Sequence, residues 1–234
     1  MKRHATSSAA AVLLAALLAV GCGGESAPDL PGDPPTEESA SIPAPRDLSA
    51  LDPALADRVR AALAELRADE SDPARWMALG MTYEANEMGS LAIECYLRVV
   101  SDPAPTLPKL LQAKAWSRLA QTYGVLGDVE HAIEAMRHSI EAVPDYAPSH
   151  WRLGTYLFDW GDFDAARASF RRATELDPKH SGGWIGLARI HLQEDRPELA
   201  VQILTKLLAG KPKDSDALRL LRTAYIQAGR AEEA

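Results

Sequence analysis

The 234-residue chain has only two cysteines, Cys22 and Cys95. Beyond residue 50 a single thiol remains, so no internal disulfide can staple that region. No apolar run is long enough to span a bilayer. The most apolar stretch, residues 9–20, has about a dozen residues where a membrane helix needs about 20. Positive charge is not in excess either. The formal net charge is −8, which removes nucleic acid as the main partner. No glycine-rich phosphate loop, paired metal motif or Ser/His/Asp signature is present. Cys95 lies beside Tyr96 on an apolar helix face, where a cysteine is a small hydrophobe more often than a nucleophile. His131 and His138 are seven residues apart, about 10 Å along one helix, too far to share a metal ion. No catalytic, metal-binding or cofactor-binding residue follows, and enzymatic activity is not expected.

What is present begins with a basic start, Lys2 and Arg3, ahead of the apolar run. That is the layout of a secretory signal. It ends in "LAVGC", with small residues immediately before Cys22. The stretch resembles the bacterial lipoprotein signal, in which residues 1–21 are removed and Cys22 is lipidated. One departure is Ala19 where that pattern prefers leucine, with Leu18 a step earlier. The alternative is an ordinary cleaved signal with an incidental cysteine. The resemblance implies a lipid-anchored, periplasm-facing protein of the cell envelope. Gly23, in place of the aspartate tied to inner-membrane retention, favours the outer membrane. Residues 22–50 are rich in Pro, Gly, Ser and acids, too poor in apolar surface to order themselves. They read as a disordered tether that reaches roughly 30 Å.

The rest of the chain repeats. "WMALGMTYEANEMGSLAIECY" at Trp76 is echoed from Trp116, His150 and Trp184. Five columns recur together: a Trp or His; Leu three residues on; Gly or Ala next to it; a large side chain; then an alanine. The small residues are Gly80, Ala120, Gly154 and Ala188, the large ones Tyr83, Tyr123, Leu157 and His191, and the alanines Ala92, Ala132, Ala166 and Ala200. Phe170 lies four residues beyond Ala166. Pro144, Pro178 and Pro212 close successive copies at a spacing of 34. This pattern resembles the tetratricopeptide repeat (TPR) family, covering 73–234. The resemblance implies an all-α, right-handed superhelical solenoid of antiparallel helix pairs. Four repeats are expected near 73–106, 113–146, 147–180 and 181–214, with a partial fifth at 215–234.

The column chemistry accounts for itself. Small residues sit where paired helices cross most closely, and large ones fill the wider gaps. Gly127 and Gly161 suit the left-handed residue that ends each first helix, and Asp128 and Asp162 cap the second. A longer first helix in copy two should start near Pro108, because the spacing there widens to 40. His150 occupies the tryptophan column of copy three, with Trp151 next to it. Either the register slips there or Trp151 faces the groove. Residues 51–71 have Leu55, Val59, Leu63 and Leu66 at helical spacing, an N-terminal capping helix. In the last helix Leu218, Leu221 and Tyr225 continue the columns, while Leu220 and Ile226 fall away from them. Either the array continues past Ala234, or that helix meets a partner or a second copy.

Family members bind extended peptides or partner proteins on the concave face. The columns that face it carry over to Met77, Met81, Arg118, Gln121, Trp151, Arg152, Thr155, Phe158, Arg189, Gln193 and Arg219. Arginines among apolar side chains suit a peptide with apolar anchors and carboxylates. Glu84, Asp159 and Asp216 stand close enough in sequence to neutralise those arginines instead. The expected role is a lipid-anchored envelope scaffold. The rival is the N-terminal arm of a longer, enzymatic envelope protein.

Overall fold

The computed structural model describes residues 42–101, 107–230 and 232. Cys22, the signal, the tether as far as residue 41, and Ala234 lie outside the described residues. Ten α-helices and one short 3-10 turn follow one another, with no strand among the described residues. The helices are α1 (Pro53–Ala68), α2 (Pro73–Glu84), α3 (Gly89–Ser101), α4 (Lys109–Val125), α5 (Val129–Ala142), α6 (Ala147–Trp160), α7 (Phe163–Leu176), α8 (Ser181–Gln193), α9 (Pro197–Gly210) and α10 (Ser215–Gln227). Each packs mainly on its neighbours in sequence, which makes pairs of α2 with α3, α4 with α5, α6 with α7 and α8 with α9. The first helices of successive pairs also touch from α4 to α10. They therefore line the inner side of an all-α solenoid.

The pairing is set by the smallest side chains. A Cβ on Gly80 would lie 2.6 Å from the Tyr96 ring, and one on Gly154 would lie 2.7 Å from the Phe170 ring. Ala92, Ala132, Ala166 and Ala200 are fully buried, as are Ala120 and Ala188. Real Cβ atoms do not approach neighbours so closely, so any larger side chain forces the helices apart. Tyr83, Tyr123, Phe170, Trp76 and Trp116 fill the wider gaps. Trp184 is only half-buried.

The turns follow one recipe. Gly127, Gly161 and Gly229 are left-handed, at φ of 83°, 93° and 73°. The same position holds Glu87 at 61° and Asp195 at 58°, where an L side chain is strained. The next aspartate, Asp128 or Asp162, then accepts from a backbone N–H in the first turn of the second helix. Pro144, Pro178 and Pro212 stand two residues past the ends of α5, α7 and α9. They are exposed, so their role is to stop helices rather than to fill space.

The tryptophan column closes the turn between copies. Trp76 Nε1 donates to Glu70 O at 2.8 Å and Trp184 Nε1 to Pro178 O at 3.0 Å. His150 Nε2 meets Pro144 O at 2.7 Å, six residues back as in the other two. His150 thus stands in for tryptophan with no slip of register, and Trp151 is turned to the inner face. The first helix of copy two begins at Lys109 after Pro108, and the lengthened helix leaves no loop carbonyl six residues before Trp116. Trp116 stacks on His138 instead, with ring centroids 4.5 Å apart.

Two expectations change. The tether was expected to run to residue 50, yet its last stretch is docked. Pro43 is buried, and its carbonyl accepts from the Tyr83 hydroxyl at 2.8 Å. Ile42 and Leu48 pack on the same core as Trp76 and Tyr83. Two apolar side chains and one buried hydrogen bond are enough to hold a segment whose average composition is polar. In α10 the exposed apolar side chains are Leu218 and Ile226, while Leu220 is half-buried against the cluster that joins α8, α9 and α10.

Candidate functional site

The inner face is built from helix positions that the crossing columns leave free. Along it runs a series of arginines, each reaching back to the preceding first helix. Arg118 on α4 approaches Glu84 on α2, N to O 3.4 Å. Arg152 on α6 donates to Gln121 on α4 at 3.1 Å. Arg189 on α8 approaches Asp159 on α6 at 3.4 Å. Glu84 also accepts from the Tyr96 hydroxyl at 2.7 Å. Arg219 on α10 breaks the series, because it pairs within its own helix with Asp216 at 3.0 Å. The arginines are therefore ties between copies as well as groove residues. Each tie at such exposure contributes about 0–1 kcal/mol.

The two halves of the face differ. In the N-terminal half Met77 is buried in the core cluster, so it is not presented to the groove as the family columns implied. Met81 is 43% exposed and takes over that presentation. In the C-terminal half α6, α8 and α10 enclose a hollow of about 720 Å³. Trp151, Thr155, Arg189 and Arg219 line it, four of the residues that the family columns marked. Phe158 stands at its edge, 4.1 Å below the Arg189 guanidinium and edge-on to Phe163. Arg152 lies 5.5 Å from the Trp151 ring. Gln193 is exposed and does not line the hollow.

The floor was not read from the sequence. A Cβ on Gly182 would lie 2.4 Å from the Trp151 indole nitrogen, and one on Gly186 would lie 2.4 Å from the Phe170 ring. Only glycine lets Trp151 and Phe170 lie against the α8 backbone. His180 accepts from Gly182 N at 3.2 Å and sits 5.0 Å from Trp151. Lys211 donates to Ser181 at 3.2 Å, next to His180 in the chain. A hydrogen bond from Ser181, with a backbone N–H from Ala217, holds the Asp214 carboxyl below the usual carboxylate range. The signal was the three glycines in "SGGWIG", more than one crossing position needs. The hollow offers indole and aliphatic walls beside Arg189, Lys211 and Arg219, with Asp214 and Asp216 on one rim.

The other singled-out side chains are engaged elsewhere. Cys95 is buried, and burial pushes its thiol pKa well up, which suppresses the thiolate. His131 Nδ1 meets Asp128 at 2.7 Å and stacks on Tyr123, and His138 Nδ1 meets Glu141 at 3.1 Å. His191 fills its ring position beside Glu194, which Arg167 also engages.

Family profiles described as tetratricopeptide repeat match residues 113–146, 157–221 and 191–234. The cellulose synthase operon protein C of Xanthomonas axonopodis pv. citri is 27% identical over 170 residues, which is 72% of this chain and 11% of that protein. The peroxisomal targeting signal receptor of Candida albicans is 23% identical over 155 residues, 66% of this chain and 26% of its own. The chain thus spans about a tenth to a quarter of these curated relatives. Among solved structures, the fold matches MamA at a TM-score of 0.58 and 21% identity, covering 69% of this chain and 85% of that one. It also matches YrrB, described as a TPR protein with an unusual peptide-binding site, at 0.57 and 19%, covering 71% and 82%. A repeat protein from Parabacteroides merdae matches at 0.65 and 16%, covering 76% and 69%.

Proposed function

The chain belongs to the tetratricopeptide-repeat family, and from that premise we propose a lipid-anchored adaptor of the cell envelope that holds an extended segment of a partner protein in its concave groove. Proteins of this family mediate protein–protein interaction. The observation that carries the finer reading is the hollow between α6, α8 and α10. An apolar anchor of the partner seats between Trp151 and Ile185, and a carboxylate next to it is met by Arg189 and Arg219. Arg189 holds Asp159 at 3.4 Å, and both side chains are partly solvated, so an incoming carboxylate displaces that contact at small cost. No chemistry beyond binding enters this reading. Lipidation of Cys22 anchors the chain, and the acidic stretch before residue 42 sets the domain off from the membrane.

A pull-down from envelope extracts with the full chain tests the groove. Trp151→Ala and Arg189→Glu are expected to lose the partners that the unaltered chain retains, and an unchanged set of partners removes this reading. Fractionation tests the anchor: Cys22→Ser should move the protein from the membrane to the soluble fraction. A second reading, the interaction arm of a longer protein, is favoured by the small share of the curated relatives that the chain spans. A native mass well above that of the 234-residue chain supports it.

A further inference from the structure

We propose that the turn edge of copies two and three, apart from the groove, docks a basic segment of a partner protein that carries large apolar side chains. At this edge each first helix ends and its second helix begins. The residue before the left-handed position is Asn86 in copy one and Glu194 in copy four. In copies two and three it is Leu126 and Trp160. Val125 is 80% exposed, Leu126 51% and Trp160 59%. A Cβ on Gly124 would lie 2.7 Å from the Tyr156 ring, so the ends of α4 and α6 come together. Val125 follows Gly124, and Trp160 stands one turn beyond Tyr156, which puts the apolar side chains on one patch. Both copies are packed between neighbours, and both turns are closed: Asp128 N bonds Tyr123 O and Asp162 N bonds Leu157 O, each at 2.9 Å. The exposure is therefore a property of the interior of the array.

Charge selects the occupant. Residues 125–131 and 158–165 hold five carboxylates and no lysine or arginine. Arg189 reaches Asp159 at 3.4 Å and Arg167 reaches Asp164 at 2.8 Å, which offsets two of them. Asp128 and Asp162 are occupied as helix caps. The surroundings of the patch stay negative, so a lysine- or arginine-rich segment with apolar anchors complements it. An anionic lipid surface would be repelled, and a second copy would bring the same carboxylates face to face.

The test titrates the full chain with synthetic peptides of repeated Lys-Leu-Leu, Glu-Leu-Leu or Lys-Ser-Ser units. The Lys-Leu-Leu peptide should bind roughly tenfold more tightly than the other two, and Trp160→Ser should remove that advantage. Val125→Ser should weaken it as well. Glu130→Lys with Asp164→Lys should flatten the salt dependence of its binding. Trp151→Ala, a groove variant, should leave this binding unchanged, so the groove and the edge stand or fall separately. The altered positions at the edge are exposed, and circular dichroism of those variants should match the parent. Absence of binding, equal binding of the three peptides, or indifference to residue 160 overturns the proposal. So does binding to phosphatidylglycerol-containing vesicles that Trp160→Ser abolishes, which would assign the patch to lipid. A concentration-dependent dimer in sedimentation that Trp160→Ser abolishes would assign it to a second copy and overturn the proposal too.

Discussion

The first and last of the described helices are covered to different extents. At the start, α1 lays Val59, Leu63 and Leu66 on the first repeat, all buried, and turns Asp57, Arg60 and Arg67 outward. The docked residues 42–50 then cover the turn end of α2 through Tyr83 and Pro43. At the other end α10 buries only Ala217 and Ala224 and leaves Leu218 and Ile226 largely exposed. In a stacked array each unit is stabilised by its neighbours, so a covered end holds while an uncovered end frays. The start is a cap. Among the described residues nothing comparable covers α10.

The sharpest way to break this contrast is to exchange residues within one column. Ala188→Arg places a guanidinium where nothing but a methyl group fits, and should cost about 3 kcal/mol or more in chemical denaturation. Arg222→Ala, the mirror exchange at the exposed end, should change stability by less than about 0.5 kcal/mol. Equal effects would mean that α10 is as tightly packed as α8. A second pair compares leucines. Leu63→Ala should cost about 2–5 kcal/mol because its surroundings cannot collapse, whereas Leu218→Ala should cost less than about 1 kcal/mol.

A smaller effect is expected where the turn recipe is broken. Asp195 occupies a left-handed position that glycine holds in copies two and three. Asp195→Gly should therefore stabilise copy four by up to about 1 kcal/mol, less the added flexibility of the unfolded chain. Gly161→Ala should cost about 1–2 kcal/mol, although nothing lies within 4 Å of the added Cβ. Melting curves of the two variants should shift in opposite directions.

These positions also mark how far the sequence can be read. The crossing residues, the left-handed glycines and the capping aspartates are local and periodic, so Gly154, Gly161, Asp162 and Ala166 can be assigned from spacing alone. The groove is harder, because its state depends on partners about 30 residues away. Nothing in the neighbourhood of Arg152 tells that it reaches Gln121, or that Met77 is covered while Met81 is open. The docked segment was hidden by averaging: two apolar residues vanish in a stretch of Pro, Ser and acids.

The smallest expected effect is one of pH, and it separates the interior from both ends. His191 fills a ring position between copies three and four, where burial, with Arg167, Arg196 and Arg171, depresses its pKa, while Glu194 acts the other way. The charged form is therefore favoured in the unfolded chain, whose histidine titrates near 6.5. Stability is complete above that pH and declines as the pH falls through 6.5 towards the lower folded value. His191→Leu should flatten this decline between pH 7.5 and 5.5 in urea titrations. A decline that survived His191→Leu unchanged would place the acid-sensitive element outside this packed position. The terminal copies contribute nothing to this term, since the column that holds His191 is tyrosine at both ends, Tyr83 and Tyr225.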